Sequence, residues 1–137
     1  MADAIRKVDY FYVEVPDKSG EGARILEGLK KAGVNMLAFC GFPTTGGRSQ
    51  LDVVPENAEA FRKATAGLGL KLSDRKQAFL VQGDDRVGAC ADVYGKLSAQ
   101  GINVTASQAT TAGSGRWGMI LWVKPADFER AGRALGV

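Results

Sequence analysis

Histidine is absent from this 137-residue chain. Ser-His-Asp and Cys-His catalytic arrangements need an imidazole that takes up and returns a proton near neutral pH, so the sequence excludes both. It also excludes histidine-ligated metal sites. Chemistry by Lys, Tyr, Cys or carboxylates stays open, but no pair of these residues has the spacing of a matched acid and base. We therefore expect a non-catalytic protein that uses no cofactor and no metal.

Cysteine is scarce, and long apolar runs are missing. Cys40 and Cys90 are the two cysteines and lack CxxC spacing, so we expect buried free thiols rather than a metal or redox pair. No apolar run is long enough to cross a bilayer, and residues 1–7 carry charges without the apolar stretch of a targeting signal. The expected location is the cytoplasm, with no membrane partner.

The chain carries only a small excess of positive charge, with a net charge of +3. Nucleic-acid-binding domains usually carry a stronger basic surplus, so we expect no nucleic-acid partner. Hydrophobic residues make up 45% of the chain and charged residues 24%, which is typical of a folded globular protein.

An internal repeat is the main positive feature of the sequence. It becomes visible when the chain is aligned with itself after a shift of 68 residues. The matching pairs are Asp17-Lys18-Ser19-Gly20 with Asp85-Arg86-Val87-Gly88, Leu29 with Leu97, Gly33-Val34-Asn35 with Gly101-Ile102-Asn103, and Gly47-Arg48 with Gly115-Arg116. We interpret this as a duplicated module, with a first copy at 1–76 and a second at 77–137.

The first copy has a βαββαβ pattern. Residues 8–15 alternate as a strand, and residues 20–32 have helical spacing that ends at Gly33. Residues 34–41 and 49–54 predict a hairpin, and Asn57 is placed to cap a second helix. Leu70-Lys71-Leu72 resumes the alternation and predicts a fourth strand.

The second copy repeats this order but stops after its last helix at Val137, without a fourth strand. One slot in its sheet is therefore vacant unless a neighbouring strand or another chain fills it. The overall expectation is an α+β fold of two tandem modules, each with an antiparallel sheet and helices on one face, the second lacking its last strand.

The opposite sheet face is expected to be too apolar to remain in water. The residues placed on it are Tyr10, Tyr12, Phe39, Leu80, Ile120 and Trp122. This face is predicted to pack against another sheet or another subunit, which favours a homo-oligomer such as a dimer.

The two loops before the first helices resemble the Asp-Arg-Pro-Gly loop of ACT domains, in Asp17-Lys18-Ser19-Gly20 and again in Asp85-Arg86-Val87-Gly88. Gly33-Val34-Asn35-Met36 and Gly101-Ile102-Asn103-Val104 are similar to the Gly-Ile-Asn-Ile step of that family. The resemblance covers most of the chain twice and implies ferredoxin-like ACT modules. Ser19 and Val87 depart from it, because the family usually has proline there.

The resemblance implies a regulatory protein that binds an amino acid or a similar small molecule where this loop of one module meets the second strand of a neighbouring module. A glycine loop before a helix N-terminus also suits a carboxylate on physical grounds. The ligand-binding residues implied are Asp17, Lys18, Ser19, Gly20, Asn35, Met36, Asp85, Arg86, Val87, Gly88, Asn103 and Val104.

Other interpretations stay open at this point. The Asp and Ser side chains before each helix can serve only as caps, the two asparagines can satisfy local backbone groups, and Lys18 and Arg86 can simply be solvated. The whole chain can also be an assembly module without a ligand. An RNA-binding module of the same strand order is disfavoured, because residues 49–54 and 117–123 lack the basic, glycine and aromatic pattern of RNP1.

Overall fold

A computed structural model describes residues 3–137 of the chain. Its elements are β1 (Ala4–Pro16), α1 (Glu21–Lys31), β2 (Met36–Pro43), β3 (Arg48–Pro55), α2 (Ala58–Gly67), β4 (Lys76–Asp84), α3 (Ala89–Ser98), β5 (Ala106–Gly113), β6 (Arg116–Trp122) and α4 (Phe128–Leu135). A 3-10 turn at Pro125–Asp127 precedes α4. The strands are hydrogen-bonded in the order β2-β3-β1-β4-β6-β5. β3 pairs antiparallel with β1 and β2, and β6 pairs antiparallel with β4 and β5. The chain thus has an α+β fold with a six-stranded sheet and four α-helices among its described residues.

The chain divides into two compact units. One unit, here the inserted unit, is Asp9–Lys76, and the other, here the flanking unit, combines the described residues up to Val8 with Gln77–Val137. This division separates Lys76 from Gln77 and Val8 from Asp9. The two tandem modules at 1–76 and 77–137 stay a prediction.

The inserted unit is built around an apolar core between its two helices and its strands. The core residues are Phe11, Val13, Val15, Ile25, Leu29, Leu51, Val53 and Phe61. Asn57 caps α2, because its side-chain oxygen accepts a hydrogen bond from the Ala60 amide at 3.1 Å. After α1, Gly33 has a φ of 73°, a conformation that favours glycine and turns the chain into β2.

The flanking unit repeats this arrangement with its own core. The buried cluster is Phe79, Val81, Ala89, Val93, Leu97, Ile102, Trp117, Met119, Leu121, Val123, Phe128, Ala131 and Leu135. Ile5, from the first part of β1, packs against this cluster. Because β1 neighbours β4 and its residues up to Val8 belong to this unit, the vacant fourth-strand slot of the second copy is filled by the first part of β1.

The predicted fourth strand of the first copy, Leu70-Lys71-Leu72, is wrong as a strand, because the structure has irregular backbone there. Leu70 and Leu72 do pack against the core of the inserted unit, which explains their alternation. The Ser73 amide donates to the Tyr12 carbonyl at 2.9 Å, and the Ser73 hydroxyl accepts from the Tyr12 amide at 2.9 Å. A side-chain oxygen therefore supplies one of the two bonds that a regular strand would make through its backbone.

Burial of the predicted apolar face differs between its members. Leu80, Ile120 and Trp122 are buried, whereas Tyr10 and Tyr12 are half-buried and Phe39 is exposed. Leu80, Ile120 and Trp122 belong to neither of the two apolar core clusters given above. The packing of this face against another subunit stays a prediction.

Neither Cys40 nor Cys90 forms a disulfide within residues 3–137, but their expected burial is wrong: Cys40 is half-buried and Cys90 is exposed. Cys90 is exposed because it lies in the first turn of α3, away from the residues that this helix buries. Within residues 3–137, no helix has the length and apolar character needed to cross a membrane.

Candidate functional site

The loops before α1 and α3 have the same geometry in both units. Gly20 has a φ of 94° and Gly88 a φ of 87°, and each is the N-cap residue immediately before its helix. The Asp17 amide donates to the Gly47 carbonyl at 2.8 Å, and the Asp85 amide donates to the Gly115 carbonyl at the same distance. Each loop is therefore anchored to the hairpin turn of its own unit.

The interpretation of Asp17 as only a helix cap is not supported. The residue at the cap position is Gly20, which has no side chain. The Asp17 carboxylate instead accepts a hydrogen bond from the Ser49 hydroxyl at 2.9 Å, which ties the loop to β3. The start of α1 therefore has no side-chain cap from the cap residue, and the Glu21 amide of its first turn donates to the Lys18 carbonyl of the loop at 3.3 Å.

The flanking unit has a groove beside its glycine loop, which we name the α3 groove. It has a volume of about 300 Å³. Its lining residues come from the loop, the first turn of α3, β5 and β6: Asp85, Arg86, Gly88, Ala89, Cys90, Ala91, Ala109, Thr110, Thr111 and Trp117. The groove lies between the start of α3 and β5.

The inserted unit has a groove at the same place, which we name the α1 groove. Its volume is about 200 Å³, and it is lined by Val15, Pro16, Lys18, Glu21, Gly22, Gly41, Phe42, Pro43, Ser49 and Leu51. Both volumes are at or below the lower end of the range of about 300–1,000 Å³ for ligand pockets. The grooves therefore suit a small molecule.

Each groove combines a cation with an anion. Arg86 and Asp85 line the α3 groove, and Lys18 and Glu21 line the α1 groove. Glu21 also receives a hydrogen bond from Arg24 at 3.1 Å, so part of its charge is already balanced. A pair of opposite charges beside a helix start is complementary to a zwitterion, since one group faces an ammonium and the other a carboxylate.

Arg86 is not simply solvated. Its guanidinium donates to the carboxylates of Asp3 and Asp92 within the flanking unit. The hydrogen bond from Arg86 is the largest cause that lowers the pKa of Asp3, and the hydrogen bond from Trp117 adds to it, while burial acts in the opposite direction. The Asp3 carboxylate is therefore held in its charged form.

The structure gathers only part of the predicted ligand-binding set at the grooves. Asp85, Arg86 and Gly88 line the α3 groove, and Lys18 lines the α1 groove. The other predicted residues lie outside the lining of either groove: Asp17, Ser19, Gly20, Asn35, Met36, Val87, Asn103 and Val104.

The positions of these other residues have separate structural explanations. Asn35 donates to Glu56 at 3.0 Å, which supports the alternative that it satisfies a local partner. Met36 and Val104 pack against the cores of their units. Val87 is fully exposed. Their role in binding stays a prediction.

Sequence reasoning missed the second-strand wall of both grooves. Gly41-Phe42-Pro43 of β2 and Ala109-Thr110-Thr111 of β5 provide it. These two segments coincide under the same shift that aligns the loops, so the repeat already contained their equivalence. Nothing in their residue types indicated binding, because small residues, threonine and proline carry no strong chemical signature.

Comparison with known proteins identifies solved structures of similar fold. No family model and no curated protein matches the chain. Among solved structures, a protein of Bacteroides thetaiotaomicron has a TM-score of 0.81 at 18% identity, covering 96% of this chain and 88% of that one. The ligand-free regulatory subunit of aspartate kinase from Thermus thermophilus has a TM-score of 0.61 at 16% identity, with 97% and 93% covered.

The regulatory subunit of aspartate kinase from Thermus flavus is similar at a TM-score of 0.60 and 20% identity, with 98% of this chain and 95% of that chain covered. The chain has a fold like that of aspartate kinase regulatory subunits. At such low identity the likeness describes the fold, and function has to be argued from the grooves.

Proposed function

We propose that this chain is a non-catalytic regulatory or sensor protein, made of two ACT modules, that binds an amino acid or a similar small zwitterion. The observation that carries the proposal is the pair of grooves at equivalent places of the two units, each lined by one cation and one anion. The cation recurs at equivalent positions of the repeat, as Lys18 and Arg86, which a structural accident would not need to do; the anions, Glu21 and Asp85, come from different positions. The fold shared with aspartate kinase regulatory subunits supports a regulatory role.

The proposed binding mode follows from the local chemistry. In the α3 groove, the ligand carboxylate faces Arg86 and the first-turn amides of α3, while its ammonium faces Asp85. The hydroxyl-bearing Thr110 and Thr111 form the facing wall and offer further hydrogen bonds to the ligand. A ligand held by both walls favours the arrangement of loop and strand that completes its site, and this is how binding would be coupled to a partner or to a second copy.

The test is thermal unfolding of the purified protein against each of the twenty amino acids, with a nucleotide and an oligouridylate for comparison. A ligand that binds only the folded state raises Tm, and at 100 times its Kd the gain is about 2.7 kcal/mol. We expect one or a few amino acids to give saturable stabilisation, and the nucleotide and oligouridylate to give none.

Two variants on the same helix make the test specific. Ala91→Phe places a large ring at an exposed position that lines the α3 groove, and Ser98→Phe places the same ring at the exposed far end of α3. Because the α1 groove keeps its site, we expect Ala91→Phe to lose the α3 share of the response and Ser98→Phe to retain all of it. Equal responses of the two variants would remove the α3 groove from the proposal.

Two other outcomes would replace the proposed function. A flat amino-acid panel, together with a concentration-dependent increase of mass in light scattering, would favour a ligand-free assembly module. A response to oligouridylate alone would favour RNA binding. The dimer and the seam between modules stay predictions, and sedimentation with and without the active amino acid tests the first of them.

A further inference from the structure

The carboxylate of Asp3 is held in a fully formed site within the flanking unit. Its side chain is only 7% exposed. Its two oxygens accept from the two terminal nitrogens of Arg86, at 3.0 Å and 3.1 Å, and Oδ1 also accepts from Trp117 Nε1 at 3.2 Å. A bidentate guanidinium with a third donor is a strong and geometrically specific arrangement for a carboxylate.

Gly83 provides the space for this carboxylate. A Cβ at Gly83 would overlap Asp3 Oδ1 and would come within 3.1 Å of Trp117 Nε1. The backbone of Gly83 is not in the left-handed region, so the conformation itself does not require glycine. Glycine is needed here because a side chain would occupy the position of the carboxylate.

The first copy of the repeat lacks all three features. The shift of 68 residues places Gly83, Arg86 and Trp117 on Val15, Lys18 and Ser49. Val15 belongs to the core of the inserted unit, and Ser49 donates to its own loop at Asp17. The carboxylate site is therefore specific to the second copy and is not a by-product of the fold.

Arg86 keeps its orientation independently of Asp3. Its Nη2 also donates to Asp92 at 2.8 Å, and its Nη1 to the Asp84 carbonyl at 3.2 Å. The guanidinium would therefore stay in place if the Asp3 carboxylate left. Arg86 and Trp117 also line the α3 groove, so the carboxylate site and the groove share two residues.

We propose that Gly83, Arg86 and Trp117 form a carboxylate-binding niche in the wall of the α3 groove, which Asp3 occupies in this structure and which accepts the carboxylate of a small ligand in exchange. Asp3 is then an internal competitor that lowers the apparent affinity of the groove for carboxylates by the fraction of time that it fills the niche. The niche extends the proposed function. The identity of its natural ligand rests on that function, whereas the binding of a carboxylate by Arg86 and Trp117 does not.

The experiment removes the internal carboxylate and supplies an external one. Asp3→Ala protein is titrated with sodium acetate against sodium chloride of equal ionic strength. Thermal unfolding and the indole N–H resonance of Trp117 are followed, with the indole of Trp122 as internal reference. We expect acetate, and not chloride, to raise the Tm of Asp3→Ala saturably and to shift the Trp117 resonance. We expect the wild-type protein to respond several-fold more weakly.

Two further variants make the outcome decisive. In Asp3→Ala with Arg86→Gln the acetate response is expected to disappear. Asp3→Ser removes the carboxylate and much of the side-chain volume from the niche while keeping a small polar group, so it serves if Asp3→Ala does not fold. A folded Asp3 variant that does not respond to acetate, or one whose response survives Arg86→Gln, overturns the proposal.

The niche and the proposed function fail separately. An acetate response with a flat amino-acid panel supports the niche and contradicts the amino-acid sensor. An amino acid that stabilises the wild-type protein without any acetate response in the variants supports the sensor and overturns the niche.

Discussion

The rings of Phe79 and Phe128 stack with their centroids 4.5 Å apart and their planes at 13°. Phe79 is on β4 and Phe128 begins α4, so this pair attaches the last helix to the sheet of the flanking unit. Both rings are buried in the core of that unit. Lys7, from the first part of β1, lies with its ammonium 5.6 Å from the centroid of the Phe128 ring. The first strand and the last helix therefore meet at one aromatic side chain.

Shortening Phe128 should destabilise the protein. Phe128→Ala removes a buried ring and leaves a cavity, for which the expected loss in the free energy of unfolding is about 3–5 kcal/mol. Phe128→Leu should cost less, because most of the volume is kept. Urea unfolding measures both, with the exposed Val87→Ala as a control that should stay within about 0.5 kcal/mol of wild type. A loss below about 1 kcal/mol for Phe128→Ala would contradict this packing.

Two glycines at the same helix should respond to alanine with opposite signs. Gly88 has a φ of 87°, where an alanine side chain is strained, so Gly88→Ala should lose about 1–2 kcal/mol. Gly95 is inside α3 with open space around it, so Gly95→Ala should gain about 0.5–1 kcal/mol from the better helix propensity of alanine. Urea unfolding of both variants decides this. A loss for Gly95→Ala would show that α3 does not have the described boundaries.

Replacing Asp52 with asparagine should stabilise the protein at neutral pH. Burial is the main cause that raises the pKa of Asp52, opposed by the hydrogen bond from Gln50 at 2.8 Å. A carboxyl whose folded pKa is raised binds more protons in the folded than in the unfolded state, so stability falls as pH rises from the ordinary value of about 3.9 through the folded pKa. The uncharged amide of the variant would have no such loss, and it retains an acceptor for Gln50.

The measurement is urea unfolding of wild type and Asp52→Asn at about pH 7 and about pH 3. We expect the variant to be the more stable protein at neutral pH and the difference to vanish in acid, where Asp52 is largely protonated in both states. Gln50→Ala serves as the matched comparison, because it removes the hydrogen bond that lowers this pKa while leaving the carboxyl group in place. A variant that is less stable at neutral pH would show that the Asp52 charge has a favourable partner in the folded protein.

Local features of the fold could be predicted from the sequence. The helical spacing before Gly33, the cap at Asn57 and the repeat of the glycine loops all appear in the structure, because each depends on residues a few positions apart. Part of the candidate site followed in the same way, through Lys18, Asp85 and Arg86. The facing strands of the grooves did not, because their lining residues have no chemical signature of their own.

Leu70-Lys71-Leu72 shows the limit of the alternating pattern. Alternation reports which side chains are buried, and Leu70 and Leu72 are indeed directed to the core. It does not report whether the backbone finds a ladder partner, and here a Ser73 side chain supplies one of the bonds. The interpretation of burial was therefore right and that of the strand was wrong.

The sequence by itself determined most of the helices and strands, the glycine loops and many apolar residues of each core, because these depend on local backbone preference and on the periodicity of burial. Only the tertiary structure decided which sheet edge the start of β1 joins, since a strand has the same alternation whichever neighbour it pairs with. The bond between Asp3 and Arg86 follows from that pairing. Residues 83 positions apart carry no local signal of their contact, and the chain brings them together only when it is folded.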